Sequence, residues 1–334
     1  MQLRTFVPVA LSFACTCAAA QSSVVIFGRV DLAMRKTWGD STQSGPGGLS
    51  AKNATQMVPG SRNRWGIRVD DDLGNGWRSH VFLDATLIPT DGSTAPTFYD
   101  GRSTLGFSHQ SYGRVDFGRM DQPALYTSLD FDPWQGDTLG QAGAWSYLRV
   151  NPTGAPNPAG LPAAPADFYS FKSNNSINYA SPVMAGFQFR LQYAISGTDG
   201  TKDSRGFNLT YRNGPFYTGI AHQRWNENHY STPMGAMYDF GLIKLIAAYA
   251  TGKRNGNSEN NRLIGFTAPL AGGELRGMVE RYTLAQGTQH DRKWSVGYFY
   301  PLSKRTTLYS NYANARFDNG TGRSGFEAGM KHTF

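Results

Sequence analysis

The last ten residues of the chain alternate between two kinds of side chain and end on an aromatic residue. The apolar set, with one histidine, is Phe326, Ala328, Met330, His332 and Phe334. The small or polar set is Glu327, Gly329, Lys331 and Thr333. Because side chains alternate between the faces of a strand, one face of this strand is largely apolar. We predict a lipid-facing barrel strand, with the terminal Phe334 near the aromatic girdle as an assembly signal.

The first twenty residues have the pattern of a cleaved export signal. Arg4 supplies the positive end, residues 6–17 form a broken apolar stretch, and three alanines precede Gln21. A short buried helix is the alternative. Both cysteines, Cys15 and Cys17, lie inside this segment. We therefore predict a signal peptide at 1–20 and a single domain at 21–334 without disulfides or a cysteine metal site.

The charge and the hydropathy exclude several classes of protein. The formal net charge is +8, and basic residues are spread from Arg29 to Lys331 beside acidic ones. This mixture argues against a nucleic-acid partner, which needs a clustered basic face. After residue 20 there is no apolar run long enough for a transmembrane helix. The mean hydropathy of −0.44 fits a membrane barrel as well as a soluble protein, because half of each barrel strand faces water.

Turn signals divide the chain into regular strand-like segments. Seven turns are short, at residues 72–76, 109–113, 182–186, 212–215, 239–241, 269–273 and 301–304. Eight joins are longer and polar, near residues 38–57, 89–98, 120–171, 197–203, 226–231, 253–259, 284–290 and 317–322. Seven short turns and eight long joins make fifteen connections, and fifteen connections join sixteen strands. The pattern predicts an all-β, antiparallel transmembrane barrel with short periplasmic turns.

Alternation within the segments supports this fold. Trp65, Ile67 and Val69 share one face, while Arg64 and Arg68 lie on the other. A soluble β-sandwich would alternate in the same way, with its apolar face inward. The export signal, the aromatic strand ends and strands of ten or more residues favour the barrel.

A wide barrel needs a constriction, and the longest join, residues 120–171, is the candidate. It carries three aspartates after a short helical segment: Asp130, Asp132 and Asp137. We predict that this third loop folds into the barrel, and a plain surface loop is the alternative. Arginines on the inward parity would face it, because an arginine that faces lipid at mid-depth costs about 2–4 kcal/mol. These are Arg29, Arg64, Arg68, Arg78, Arg102 and Arg114.

The chain resembles the general trimeric porins of the Gram-negative outer membrane over nearly its whole mature length. The matching pieces are residues 23–31, 63–68, 71–76, 101–102, 112–119, 175–182 and 329–334. The resemblance implies that Arg29, Arg64 and Arg102 form the basic wall of the family's eyelet, with Lys172 as a fourth member. It also implies that residues 130–133 and 136–138 form the acidic segment of the loop. Trp134 and Gln135 depart from the family, since a glutamate is common there.

The resemblance implies a passive homotrimeric channel for small hydrophilic solutes, located in the outer membrane among lipid and lipopolysaccharide. No cofactor and no metal site is expected. The loss of one acid predicts a mild preference for anions. A substrate-specific channel for organic acids or sugars is the second hypothesis, since the loop is rich in aromatic residues: Tyr126, Phe131, Trp134, Trp145, Tyr147, Phe168 and Tyr169. A barrel enzyme built on His80, Asp84 and a serine is the third.

Overall fold

A computed structural model of the chain describes residues 22–40, 53–142, 172–195, 203–254, 257–284 and 289–334. The predicted signal peptide at 1–20 lies outside these ranges. The described chain forms one antiparallel sheet and one helix within its longest join. No helix in these ranges has both the length and the apolar character needed to cross a membrane.

The strands are named here in chain order. They are β1 Ser23–Trp38, β2 Ala54–Pro59, β3 Arg64–Gly74, β4 Trp77–Ile88, β5 Ser93–Thr94, β6 Ser103–His109, β7 Gly113–Asp121, β8 Lys172–Ala180, β9 Phe187–Ala194, β10 Ser204–Asn213, β11 Phe216–Asn226, β12 His229–Asp239, β13 Lys244–Arg254, β14 Asn257–Leu270, β15 Gly273–Leu284, β16 Gln289–Pro301, β17 Thr306–Arg316 and β18 Gly322–Thr333. The helix α1 spans Pro123–Asp130, between β7 and β8.

These segments make a closed barrel of sixteen strands, as predicted. The segments β2 and β3 are one barrel strand interrupted at residues 60–63, because both pair with β1. The two-residue β5 adds only a short pairing to the end of β4. The barrel closes where β1 pairs with β18, from Arg29 opposite Thr333 to Trp38 opposite Ser324. The N–H of Gly28 donates to the carbonyl of Phe334 at 2.9 Å and extends this seam to the last residue.

The connections alternate between two ends of the barrel. The seven predicted short turns are present, as between Gly74 and Trp77 and between Leu270 and Gly273. Several joins at the opposite end are shorter than the sequence predicts. Only Glu227 and Asn228 separate β11 from β12. Two residues separate the end of β13 at Arg254 from the start of β14 at Asn257. Polar residues continue the strand ladder there, because strands that extend beyond the membrane face water on both sides.

The two faces of the barrel differ as the alternation predicts. Outward side chains are apolar and exposed, as Val24, Ile26 and Met330 show. Inward side chains are polar, and Asp31 and Glu327 are fully buried against the loop or neighbouring strands. A soluble sandwich would have the reverse arrangement.

Candidate pore constriction

The third loop folds back into the barrel lumen. After Asp121 the chain leaves β7, and Pro123 starts α1, where the missing N–H of proline costs no helical hydrogen bond. The helix contacts the inner faces of β9, β10, β11 and β12. Asn208 on β10 donates to the Thr127 hydroxyl at 2.9 Å. The helix therefore lies against the barrel wall and narrows the lumen from that side.

Apolar side chains after α1 anchor the loop to the same wall. Phe131 is fully buried and stacks on Tyr217, with 5.5 Å between ring centroids. Trp134 is 1% exposed, and its indole N–H donates to Asn311 at 2.8 Å. A side chain at Gly235 would collide with the Phe131 ring. Close approach of these rings to the sheet therefore depends on glycine in the wall.

Asp132 lies away from the lumen, unlike the sequence prediction. Its carboxylate accepts hydrogen bonds from the backbone N–H groups of Trp134, Gly136 and Ala142, at 2.9–3.1 Å. The side chain is 3% exposed, and burial raises the pKa of Asp132 while these three donors oppose the rise. The backbone turns through positive φ angles at Gln135 and Gly136, which directs the N–H groups towards Asp132. Asp132 therefore holds the loop in shape.

The far end of the loop is fixed by polar contacts to three strands and to the break between β2 and β3. The Thr138 N–H donates to the carbonyl of Gly60 at 2.8 Å. The Leu139 N–H donates to Glu327 at 2.5 Å, and Lys293 donates to the Leu139 carbonyl at 3.0 Å. Glu327 is fully buried and also forms an ion pair with Arg35 at 2.6 Å. The loop thus spans the lumen from β9 to the closing seam of the barrel.

The facing wall carries the predicted basic residues in ion pairs. Arg29 meets the loop directly, with 2.9 Å between its guanidinium and the carboxylate of Asp137. Arg64 pairs with Asp84 on β4. Arg102 pairs with Asp121 at 2.7 Å, and Lys172 pairs with the same carboxylate. The structure therefore places Arg29, Arg64, Arg102 and Lys172 on one side of the lumen, in β1, β3, β8 and the segment before β6.

Three other predicted arginines lie closer to the short turns. Arg68 is four residues nearer the turn than Arg64, about 13 Å along the strand, and pairs with Asp70 at 3.4 Å. Arg78 is exposed and next to the β3–β4 turn, and Arg114 pairs with Asp116 near the β6–β7 turn. These residues line the vestibule between the loop and the short turns. The alternation in the sequence places them inward but does not give their position along the barrel axis.

Two further arginines, which the sequence analysis does not single out, lie near the loop. Arg190 on β9 lies over the Tyr126 ring, with its Cζ 5.0 Å from the ring centroid, and Arg102 lies 6.0 Å from the same centroid. Arg62 lies between β2 and β3, within electrostatic reach of Asp137 and Asp121. The inward parity of Arg190 could have identified it. The strand break removes that signal for Arg62.

Asp130 lies at the end of α1, where it faces the wall. It accepts a hydrogen bond from the Tyr217 hydroxyl and lies within electrostatic reach of Arg190 and Arg212. Burial raises the pKa of Asp130, and the Tyr217 hydrogen bond opposes part of that rise. Two cations thus act on the Asp130 carboxylate through space, whereas Arg102 and Lys172 both form ion pairs with Asp121.

The aromatic residues of the loop divide into two groups. Phe131 and Trp134 are buried as anchors, so neither presents a ring to a solute. Tyr126 is partly exposed beside Arg102 and Arg190. Trp145, Tyr147, Phe168 and Tyr169 lie outside the described residues.

The histidine of the enzyme hypothesis has other partners than predicted. Asp84 pairs with Arg64, while the His80 ring bonds Asp70 and Ser108, each at 2.6 Å. The backbone of β6 around Ser108 pairs with β4 on one side and β7 on the other. These two hydrogen bonds link β3, β4 and β6 on the inner face of the barrel and fix the orientation of the His80 ring.

Comparisons with known proteins agree with this geometry. Residues 8–320 match the family model of the Gram-negative porins. The chain is 27% identical to outer membrane porin protein 32 of Delftia acidovorans, over 99% of both chains. It is 26% identical to an outer membrane porin of Bordetella pertussis, over 95% of this chain and 96% of that protein.

The solved structures show the same fold. An anion-selective porin from Comamonas acidovorans superposes with a TM-score of 0.75 at 24% identity, over 94% of this chain and all of that one. A closed sixteen-stranded barrel, a loop inside its lumen and a match over most of the chain lead to one conclusion. The chain belongs to the Gram-negative porin family, the passive diffusion channels of the outer membrane.

Proposed function

We propose that this channel prefers small hydrophilic anions, and that the charges around the third loop set the preference. The observation that carries the proposal is that each of two carboxylates has two cations near it. Asp121 is shared by Arg102 and Lys172, and Asp130 lies within reach of both Arg190 and Arg212. Arg29 with Asp137 and Arg64 with Asp84 are balanced pairs. Asp31 faces Lys331 across β1 and β18 and adds one charge of each sign.

The resulting field favours anions, because the counted groups carry more positive than negative charge. A unit charge about 10 Å away changes the energy of an ion in water by about 0.4 kcal/mol. A surplus of two such charges therefore produces a mild preference, and a narrow lumen strengthens it by lowering the effective dielectric constant. The anion selectivity named for the Comamonas acidovorans porin supports this assignment.

Reversal potential tests the proposal directly. The purified protein in a planar bilayer, with a tenfold gradient of potassium chloride, is expected to give the sign of chloride preference. Because surface charge is screened by salt, the preference should grow as the mean salt concentration falls. A reversal potential of the sign for potassium preference at every concentration would refute it.

A second candidate is a channel that binds organic acids on passage. The Tyr126 ring lies between the guanidinium groups of Arg102 and Arg190, at 6.0 and 5.0 Å. A guanidinium binds a carboxylate through paired N–H donors, and the ring offers an apolar surface beside them. Citrate or benzoate should then interrupt the single-channel current at concentrations where sucrose does not. Equal effects of the acids and sucrose would leave only the general channel.

We further propose that the protein is a homotrimer, exported through cleavage after residue 20, and that it acts as a channel without catalysis. Porin family membership supports each of these points. Phe334 as an assembly signal belongs to the same proposal: its ring lies over Gly28 on the outer face, where the two ends of the barrel meet. Cross-linking of the purified protein and its N-terminal sequence test the first two points. A monomer, or retention of residues 1–20 in the outer membrane, would contradict them.

A further inference from the structure

Four arginines form a row on the outer face of the barrel. Arg262 on β14 lies directly opposite Arg281 on β15. Arg281 lies opposite Arg292 on β16, and Arg292 opposite Arg316 on β17. All four side chains are exposed. We call this set, Arg262, Arg281, Arg292 and Arg316, the arginine row.

The arginine row has no acidic partner on its own face. Every acidic residue of β14 to β17 has the inward parity: Glu259, Glu274, Glu280 and Asp291. Within the described part of the chain, the four arginines make no side-chain hydrogen bond or ion pair. Asp40 on the first loop is within electrostatic reach of Arg316. Two neighbouring cations about 5 Å apart in water repel each other by about 0.8 kcal/mol, so bound anions would stabilise the row.

The position of the arginine row matches the headgroup level of the membrane. Trp294 follows Arg292 by two residues on the same outer face, and its ring lies 5.2 Å from that of Tyr312. Trp38 continues this aromatic cluster at 6.1 Å from Tyr312. Aromatic girdles mark the edge of the apolar band in outer-membrane barrels. The arginines lie beyond the girdle, towards the long loops, where arginine is tolerated.

An apolar groove of about 620 Å³ begins where the arginine row ends. Its floor consists of small residues directly opposite each other, namely Thr218, Ala236 and Ala247. Its rim includes Met234, Tyr249 and Arg262, which also lie opposite each other. Barrel strands are tilted, so a line of residues that lie opposite each other on successive strands changes its depth in the membrane. The line from the groove to Arg316 therefore runs from the middle of the membrane to the end of the barrel that carries the long loops.

We propose that this surface binds a phosphorylated, acylated glycolipid of the outer leaflet, with phosphate on the arginine row and an acyl chain in the groove. Arginine binds phosphate through paired N–H donors, and clustered basic residues at a membrane surface attract anionic headgroups. The apolar floor excludes a free phosphate ion from the groove and accepts a hydrocarbon chain. The inference deepens the expected contact with outer-membrane lipid and rests on the outer-membrane location of the channel.

Native mass spectrometry of the detergent-solubilised full protein tests the site. The probe is lipid A, a bis-phosphorylated acylated disaccharide, compared with its dephosphorylated form. We expect Arg281→Gln with Arg292→Gln to weaken lipid A binding about 30-fold, since each such arginine contributes about 1 kcal/mol. Arg305→Gln with Lys304→Gln, on exposed residues of the short β16–β17 turn, is the matched control and should leave binding unchanged.

The groove is tested separately by Ala247→Phe, which fills its floor with a ring. Binding of lipid A should weaken about tenfold, the effect of excluding roughly two methylene groups. Ala328→Phe on the outer face of β18 lies outside the groove and serves as the control. Conductance and reversal potential should stay at the wild-type values in all these variants, since the changed side chains face away from the lumen. The lipid site and the channel function are therefore tested independently.

Several results would overturn the proposal. Unchanged lipid A binding in the double arginine variant would remove the arginine row as the site. Equal binding of the dephosphorylated lipid would remove phosphate from the recognition. Full competition by millimolar inorganic phosphate would show a site for a free ion. Dissociation of the oligomer by Ala247→Phe, with lipid binding intact, would show that the groove is a contact between subunits.

Discussion

The two walls of the lumen differ in what they offer to the third loop. The wall from β9 to β17 offers glycines and polar side chains, and the loop packs on it through Phe131 and Trp134. The wall from β1 to β8 offers charged side chains, and the described part of the loop meets it through polar and charged contacts, as between Arg29 and Asp137. Close packing on the first wall thus sets how far the pore is narrowed. Charge on the second wall, together with Arg190 and Arg212 at the β9–β10 edge of the first, sets which ions pass through the remaining space.

Because packing narrows the pore and charge selects the ions, variants of packing side chains and of charged side chains should have different effects. Changes to the buried packing side chains of the first wall should alter stability and conductance, with little change in selectivity. Changes to the partly exposed charges beside the loop, on either wall, should alter selectivity, with little change in stability. The following predictions test this difference, in order of decreasing expected effect.

The largest effect is expected for Glu327→Ala. The substitution removes the carboxylate that pairs with the buried Arg35 and that accepts the Leu139 N–H. Loss of one partner of a buried ion pair typically costs about 3–5 kcal/mol. The thermal unfolding midpoint in detergent should fall accordingly. Glu274→Ala, in a pair that is 42% exposed on the glutamate side, should cost less than about 1 kcal/mol. Equal losses in the two variants would contradict the role of Glu327 as an anchor.

Trp134→Ala should release the middle of the loop from the packed wall. The ring is 1% exposed, and its removal should cost about 3 kcal/mol of local packing. Single-channel recording should show a larger mean conductance and more current noise, with the same sign of reversal potential. Trp294→Ala, on the outer face, should leave the conductance unchanged. A wild-type conductance in the Trp134 variant would mean that the loop is held without this ring.

Asp137→Asn should raise the anion preference about twofold. The substitution removes one carboxylate and leaves Arg29 charged, and one charge at about 10 Å is worth about 0.4 kcal/mol. The permeability ratio from the reversal potential measures the change. Asp72→Asn, in the exposed β3–β4 region, is the control. An unchanged permeability ratio on neutralising Asp137 would show that this carboxylate does not contribute to the field.

A smaller effect is expected from pH. Since burial raises the pKa of Asp130, this carboxyl binds a proton at a higher pH than an ordinary aspartate. Lowering the pH towards that pKa neutralises Asp130 and leaves Arg190 and Arg212 without their shared acid. The anion preference should therefore rise as the pH falls, by less than about twofold. Asp130→Asn should reduce this dependence, and an unchanged pH profile in that variant would assign it to another group.

The sequence predicted the charged wall better than the packed wall. Alternation and the cost of an arginine in lipid place Arg29, Arg64 and Arg102 in the lumen, where the structure has them. The same pattern says nothing about depth, so Arg68 and Arg78 were grouped with residues that lie nearer the loop. Arg62 was missed because the strand is interrupted at residues 60–63 and the period of two is lost.

The loop was recognised by its length, whereas the orientation of its side chains depends on tertiary contacts. Asp132 was expected in the lumen because its segment resembles the acidic part of the porin eyelet. Three backbone N–H groups instead bind its carboxylate in a turn that only the folded loop forms. In the same way, Gly235 beside the Phe131 ring and Gly297 beside the Trp134 ring lie more than a hundred residues away from them along the chain, and no local pattern links these glycines to the loop.

The central claim is that shared carboxylates leave a surplus of positive charge beside the loop. The most direct test is the reversal potential of the wild type and of the double variant Lys172→Gln with Arg190→Gln, measured under one salt gradient. The double variant removes one cation from each shared carboxylate. We expect the wild type to prefer chloride and the double variant to lie close to zero. A double variant that keeps the wild-type potential, or a wild type that prefers potassium, would contradict the account.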